Sequence, residues 1–174
     1  MTRIDRSPKK GATRKEEDDM QKITTFLTFN DQAEEAVNLH VSIFKNSKIV
    51  SMVRSEEGGP VAKDKVLNAA FELDGQEFNA MDGGPYFSFA QGTSLFVNCE
   101  TQAEVDELWE KLSAGGEKSR CGWLKDRYGM SWQVVPTLVG KLMQDPDAGK
   151  SEKVMQAILK MNKLDIEELK RAAA

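Results

Sequence analysis

The stretch Ser94-Leu95-Phe96-Val97-Asn98-Cys99-Glu100-Thr101-Gln102-Ala103-Glu104 reads as a strand that runs straight into a capped helix. Its first six residues hold β-branched and aromatic side chains, as a half-buried strand does. Thr101 followed by Glu104 makes a capping box, in which each side chain takes up one orphan backbone N–H of the helix start. The same order occurs earlier in the chain. Gln32-Ala33-Glu34 recurs as Gln102-Ala103-Glu104 at an offset of 70, and that offset also pairs Phe26 with Phe96 and Leu27 with Val97. A second echo sets Gly75-x-x-Phe78-Asn79 against Gly129-x-x-Trp132-Gln133. The unit these echoes imply is βαβββ, used twice.

Working outward, Ile23–Phe29 predicts the first strand, and Asp31 with Glu34 predicts a capping box for the helix after it. Ala33, Ala36, Val37, His40, Ile43 and Phe44 follow helical spacing and give that helix one buried face. Strands are expected at Lys48–Arg54, Val66–Leu73 and Glu77–Met81, with a hairpin at Asp74-Gly75, where positive φ is readily adopted. In the second copy Val105, Leu108, Trp109 and Leu112 face the core, and strands follow around Gly122–Lys125 and Ser131–Val135. The fold class expected is therefore α+β, with modules at about 22–84 and 91–136 inside a domain spanning 21–136. Residues 137–174 read as a C-terminal helical extension packing on the domain or a dimer. The charge run in residues 1–20 reads as a disordered polar tail.

Composition excludes several classes. A formal net charge of -4 argues against nucleic acid as partner, since phosphate binding needs a clustered basic face. No apolar run reaches the roughly 20 residues needed to cross a bilayer. Two cysteines, Cys99 and Cys121, and no secretory h-region point to a reducing cytoplasm.

Two longer strings carry a resemblance. Asn79-Ala80-Met81-Asp82-Gly83-Gly84-Pro85 and Cys121-Gly122-Trp123-Leu124-Lys125-Asp126-Arg127-Tyr128-Gly129-Met130-Ser131-Trp132-Gln133-Val134-Val135-Pro136 resemble the PhnB-like branch of the vicinal-oxygen-chelate (glyoxalase/bleomycin-resistance/dioxygenase) superfamily, as does Val154–Met161. Members of that branch are often labelled 3-demethylubiquinone-9 3-methyltransferase. The resemblance implies a curved mixed sheet from each module, a cavity inside each curl, and a homodimer. Methyl transfer itself is not expected. The first strand runs into Asn30-Asp31-Gln32 with no glycine-rich turn, and no helices alternate with parallel strands.

Metal-using members of the superfamily hold a divalent ion that polarises vicinal oxygens of the substrate. The resemblance puts those ligand positions near Thr24, Asn79, Ser94 and Gln133. None is His, Asp or Glu, and neutral amide and hydroxyl oxygens bind transition metals weakly. No metal and no cofactor are therefore expected, and the four residues become candidate ligand-binding groups, joined by Trp123 and Tyr128 at a pocket mouth. Trp132 and Phe78 point away by strand alternation and are expected in the core, and His40 is a surface or core histidine. Weak catalytic candidates are Cys121, flanked by Lys118, Arg120 and Lys125, together with Asp82 and Asp126.

Three functions compete at this point. The first is a metal-free glyoxalase-like module binding an unknown small molecule. The second is an enzyme of the same superfamily, metal-independent or metal-dependent, acting as a lyase, isomerase or transferase. The third is a dimeric scaffold whose C-terminal helices bind another protein.

Overall fold

A computed structural model describes residues 22–90 and 92–174, so the segment 1–20 lies outside the described residues. The first module runs β1 (Thr25–Phe29), α1 (Ala33–Ile43), β2 (Lys48–Arg54), β3 (Val66–Leu73) and β4 (Gln76–Asp82). The second runs β5 (Leu95–Cys99), α2 (Gln102–Ser113), β6 (Glu117–Lys118), β7 (Trp123–Lys125) and β8 (Ser131–Pro136). Three helices follow: α3 (Thr137–Met143), α4 (Ala148–Ile158) and α5 (Ile166–Ala173). The architecture is α+β, as the repeated pattern predicts. Each module builds a four-stranded mixed sheet, in the orders β1-β4-β3-β2 and β5-β8-β7-β6. In both, the outer strand before the helix pairs in parallel with the last strand.

The internal echoes are structural equivalences. Phe26 pairs with Asn79 as Phe96 pairs with Gln133, and Phe29 pairs with Asp82 as Cys99 pairs with Pro136. Alternation along the strands then assigns the faces. Leu27, Phe29, Phe78 and Ala80 turn inward with α1, while Leu124, Trp132 and Val134 join the same core from the second sheet. One core therefore serves both modules. Phe44 of the first module stacks on Trp132 of the second, with ring centroids 5.4 Å apart. Burying each such side chain stabilises the fold by roughly 1.5–3 kcal/mol.

The two helices start by different means. In α2, Thr101 Oγ1 accepts from the Glu104 N–H at 3.2 Å, and the Glu104 carboxylate accepts from the Glu100 N–H at 2.7 Å. The capping box expected at Asp31 and Glu34 does not form. Asp31 sits at φ 60, away from the extended conformation of a capping residue, and Gln32 precedes the helix without a side-chain cap. Asp82, at the end of β4, supplies the missing acceptor. Its Oδ1 takes the Ala33 N–H at 2.8 Å and its Oδ2 the Val66 N–H at 2.9 Å. Glu34 instead holds Arg54 through two 2.6 Å contacts. The Asp74-Gly75 hairpin forms as expected, with φ 47 and 79. Strand β1 begins at Thr25 rather than Ile23, and α4 begins at Ala148, where Asp147 caps it by accepting from the Gly149 N–H at 2.9 Å.

The C-terminal helices bury Val154, Ile158 and Leu169, and the α4–α5 connection buries Met161 and Leu164, in a second cluster that also takes in Val135, with Cys121 packed against it. A backbone clasp ties this cluster to the second module. The Cys121 N–H donates to the Met161 carbonyl at 2.8 Å and the Gly122 N–H to the Asn162 carbonyl at 2.7 Å. From α2, the Gln102 side chain donates to the Leu164 carbonyl and accepts from the Ile166 N–H. The clasp needs glycine at position 122, whose φ is +80 and whose added Cβ would lie 2.7 Å from the Val134 carbonyl. Among the described residues no helix is long and apolar enough to cross a membrane.

Candidate functional site

The side of each sheet opposite the core is open. On the second sheet, ladder register places Phe96, Gln133 and Trp123 in one row across β5, β8 and β7. Their strand neighbours settle the direction. Trp132 and Leu124 are 1% exposed and belong to the core, so residues one step away face outward. The Gln133 side-chain amide donates to Ser94 Oγ at 2.8 Å, so two of the expected ligand-binding residues are in contact. On the first sheet the equivalent row is Phe26, Asn79 and Ala70, continuing to Ser51. Phe26 and Phe96, at matching positions, are 52% and 53% exposed.

A hollow of about 380 Å³ lies on the open face of the second sheet, lined by Glu117, Ser119, Trp123, Lys125 and Ser131 with Leu124 at its floor. Sequence reading identified only Trp123 among these. Ser131 and Lys125 were legible by stepping two residues from Gln133 and Trp123, but Glu117 and Ser119 belong to or follow a two-residue strand with no pattern of its own. A second cleft of about 290 Å³ lies at the seam between modules, where Phe44, Leu73, Phe78 and Trp132 line it beside Asp74 and Asn98. It contains none of the expected site residues.

The remaining candidates lie elsewhere. Thr24 and Asn79 belong to the first module, and Asn79 faces outward beside Phe26. Tyr128 sits between the modules, its ring edge-on to Phe29 at 6.2 Å and to His40 at 6.3 Å. Burial raises the pKa of its hydroxyl, and Arg127 pulls the other way. Asp82 is engaged by the two backbone N–H groups described above. Asp126 is buried and accepts four N–H groups: His40 Nε2 at 2.8 Å, Trp132 Nε1 at 3.0 Å, and the backbone of Tyr128 and Met130 at 2.9 and 3.0 Å. A carboxylate so engaged has little lone-pair capacity left for proton transfer. Cys121, at φ 60, packs against the C-terminal helices. His40 is fully buried on α1.

Thr24, Asn79, Ser94 and Gln133 offer no anionic or imidazole donor, and Gln133 is already bonded to Ser94. Such a set does not fit a divalent transition metal. Among the described residues no group of three or more His, Cys, Asp and Glu side chains is placed to hold a metal ion.

A family profile described as 3-demethylubiquinone-9 3-methyltransferase matches residues 21–135. A PhnB protein from Bacillus cereus, described as a 3-demethylubiquinone-9 3-methyltransferase, is 42% identical; the match covers 67% of this chain and 100% of that one, with a TM-score of 0.64. The protein PA1353 from Pseudomonas aeruginosa shares the fold at 24% identity, over 67% of this chain and 97% of that one, with a TM-score of 0.59. No curated protein matches the chain.

Proposed function

Because the chain belongs to the 3-demethylubiquinone-9 3-methyltransferase family, the PhnB-like branch of the vicinal-oxygen-chelate superfamily, we propose that it binds a small organic molecule on its open sheet faces without a resident metal. The observation that carries this reading is the outward row of Phe96, Gln133 and Trp123, with Ser94 holding the Gln133 amide. An aromatic wall beside a few fixed polar groups is what a small-molecule site requires. The neutral donor set favours hydrogen bonding to ligand oxygens over metal chelation. Catalysis without a metal would need a free acid, base or nucleophile. Asp82 and Asp126 are engaged by N–H donors, and Cys121 lies against the C-terminal helices.

The working form is a homodimer. Phe26 and Phe96 expose comparable apolar area on equivalent faces, joined on the first module by Val50 and Val53. A second copy laid across these faces removes that area from water and closes the cavity. Two unpaired cysteines suit the cytoplasm.

The test is a thermal-shift screen of small amphipathic molecules, with elemental analysis of the same preparation. A hit present at about 100 times its Kd stabilises the fold by about 2.7 kcal/mol. The Gln133→Ala/Asn79→Ala pair is expected to lose that stabilisation. Unchanged binding by the pair would remove the site assignment, and stoichiometric zinc, nickel, iron or manganese would remove the metal-free reading.

A further inference from the structure

The hollow on the second sheet has a polarity of its own. Register pairs Glu117 with Lys125, Lys125 with Ser131, and Trp123 with Gln133. Two neighbours fix which way these side chains point. Leu124 lies in the core, and Lys118 turns toward α2, where it meets Glu110 at 2.7 Å. Glu117, Trp123 and Lys125 therefore share the outer face, and Ser131 joins them.

Two polar groups in that hollow are left without partners. Ser131 is 4% exposed, yet its hydroxyl makes no hydrogen bond among the described residues. Lys125 is half-buried as a residue, and its ammonium has no carboxylate within ion-pair distance among them. Glu117 is its neighbour across the ladder, but stays solvent-exposed and apart from it. The Ser131 hydroxyl is open to the hollow, so both of its hydrogen-bonding capacities are available to a ligand there.

Resting on the reading of this face as a ligand site, we propose that the hollow selects a small aromatic carboxylate. The carboxylate oxygens accept from the Lys125 ammonium and the Ser131 hydroxyl, while the ring lies against the Trp123 indole. Charge-assisted bonds of this kind are the strong ones, and an aromatic face supplies offset-stacking area. One lysine balances a single negative charge, and the exposed Glu117 at the rim adds only a weak, solvent-screened repulsion toward an anion. A dianion such as a phosphate monoester is under-compensated there.

The experiment titrates the full chain with benzoate and with benzamide, its uncharged isostere, following tryptophan fluorescence. Trp109 and Trp132 are 3% and 1% exposed, so quenching by a ligand in the hollow reports on Trp123. Benzoate is expected to quench saturably and benzamide to bind at least about tenfold more weakly. Lys125→Gln is expected to weaken benzoate by about tenfold and leave benzamide unchanged. Glu117→Gln removes a like charge and is expected to tighten benzoate by about twofold. Equal binding of the two probes, or full benzoate affinity in Lys125→Gln, overturns the anion assignment while leaving a neutral-ligand cavity intact. Saturable quenching by neither probe overturns it as well. The cavity itself is judged separately, by the thermal-shift screen and the Gln133→Ala/Asn79→Ala pair.

Discussion

His40 Nε2 lies 2.8 Å from Asp126 Oδ2, and this contact joins α1 of the first module to the β7–β8 connection of the second. Both side chains are wholly buried, and Asp126 also gathers Trp132 Nε1 and two backbone N–H groups. The carboxylate therefore acts as an anchor for four donors from both modules. His40 Nδ1 has no partner among the described residues, so the pair leaves one polar atom unsatisfied.

Replacing Asp126 with alanine strands those donors in the core. The expected loss is about 3–5 kcal/mol, read as a lower urea midpoint with an unchanged m-value. Asp126→Asn keeps the volume but turns an N–H2 group toward donors, and is expected to cost about 2 kcal/mol. A loss below about 1 kcal/mol for the alanine variant would show that the network does not hold the modules together.

The open sheet faces make a prediction about assembly. Phe96→Glu places a charge at the centre of the apolar face proposed to bury against a second copy. Native mass spectrometry is expected to give a dimer for the unaltered chain and a monomer for the variant, with the far-ultraviolet circular dichroism unchanged. A wild-type monomer at micromolar concentration removes the dimer from the proposal.

Cys99 predicts an alkaline limit. Burial, and secondarily the Glu104 charge, push its thiol from an ordinary value of 9.0 up to about 12. The folded state thus holds a proton that the unfolded state releases. The stabilising contribution is complete below pH 9 and is lost as pH rises from there toward 12. Stability of the Cys99→Ala variant, measured by urea unfolding across that window, is expected to fall less steeply than wild type. Iodoacetamide at pH 8 is expected to modify Cys121 and spare Cys99 in the native protein. Equal labelling of the two would contradict the burial of Cys99.

The clasp on the C-terminal helices predicts a local readout. Leu164 is 1% exposed and lies within 3.4 Å of where a Gly122 Cβ would stand. Leu164→Ala is expected to cost about 2–5 kcal/mol and to speed Cys121 alkylation, because it loosens the cluster over that thiol. Gly122→Ala combines a left-handed φ with a 2.7 Å approach to the Val134 carbonyl, and is expected to do the same or worse. Alkylation at the wild-type rate in both variants would mean that the helices do not shield Cys121.

What the sequence made legible depended on how far apart the interacting residues stand. The inward turn of Phe78 and Trp132 and the Thr101 capping box are short-period patterns, and each appears as read; the duplication was legible because the same local order recurs at an offset of 70. The box at Asp31 failed because its competitor, Asp82, lies 49 residues from the N–H it takes. The His40–Asp126 contact spans 86 residues and has no local signature. Family resemblance placed Ser94 and Gln133 in one candidate site, but their direct 2.8 Å contact, across 39 residues, had no signal in the sequence. The polar hollow stayed hidden because β6, its outer wall, spans only two residues.

The unequal helix starts leave a kinetic asymmetry between two copies of one motif. Helix α2 carries its cap within three residues, so it can nucleate as soon as that segment leaves the coil. Helix α1 waits for Asp82, and thus for β4 to dock beside β1, before its first turn is closed. At the position equivalent to Asp82 the second copy has Pro136, which offers no carboxylate at all. The later copy in the chain is therefore expected to form its helix first, which φ-values near Thr101 exceeding those near Asp82 would show and equal values would refute.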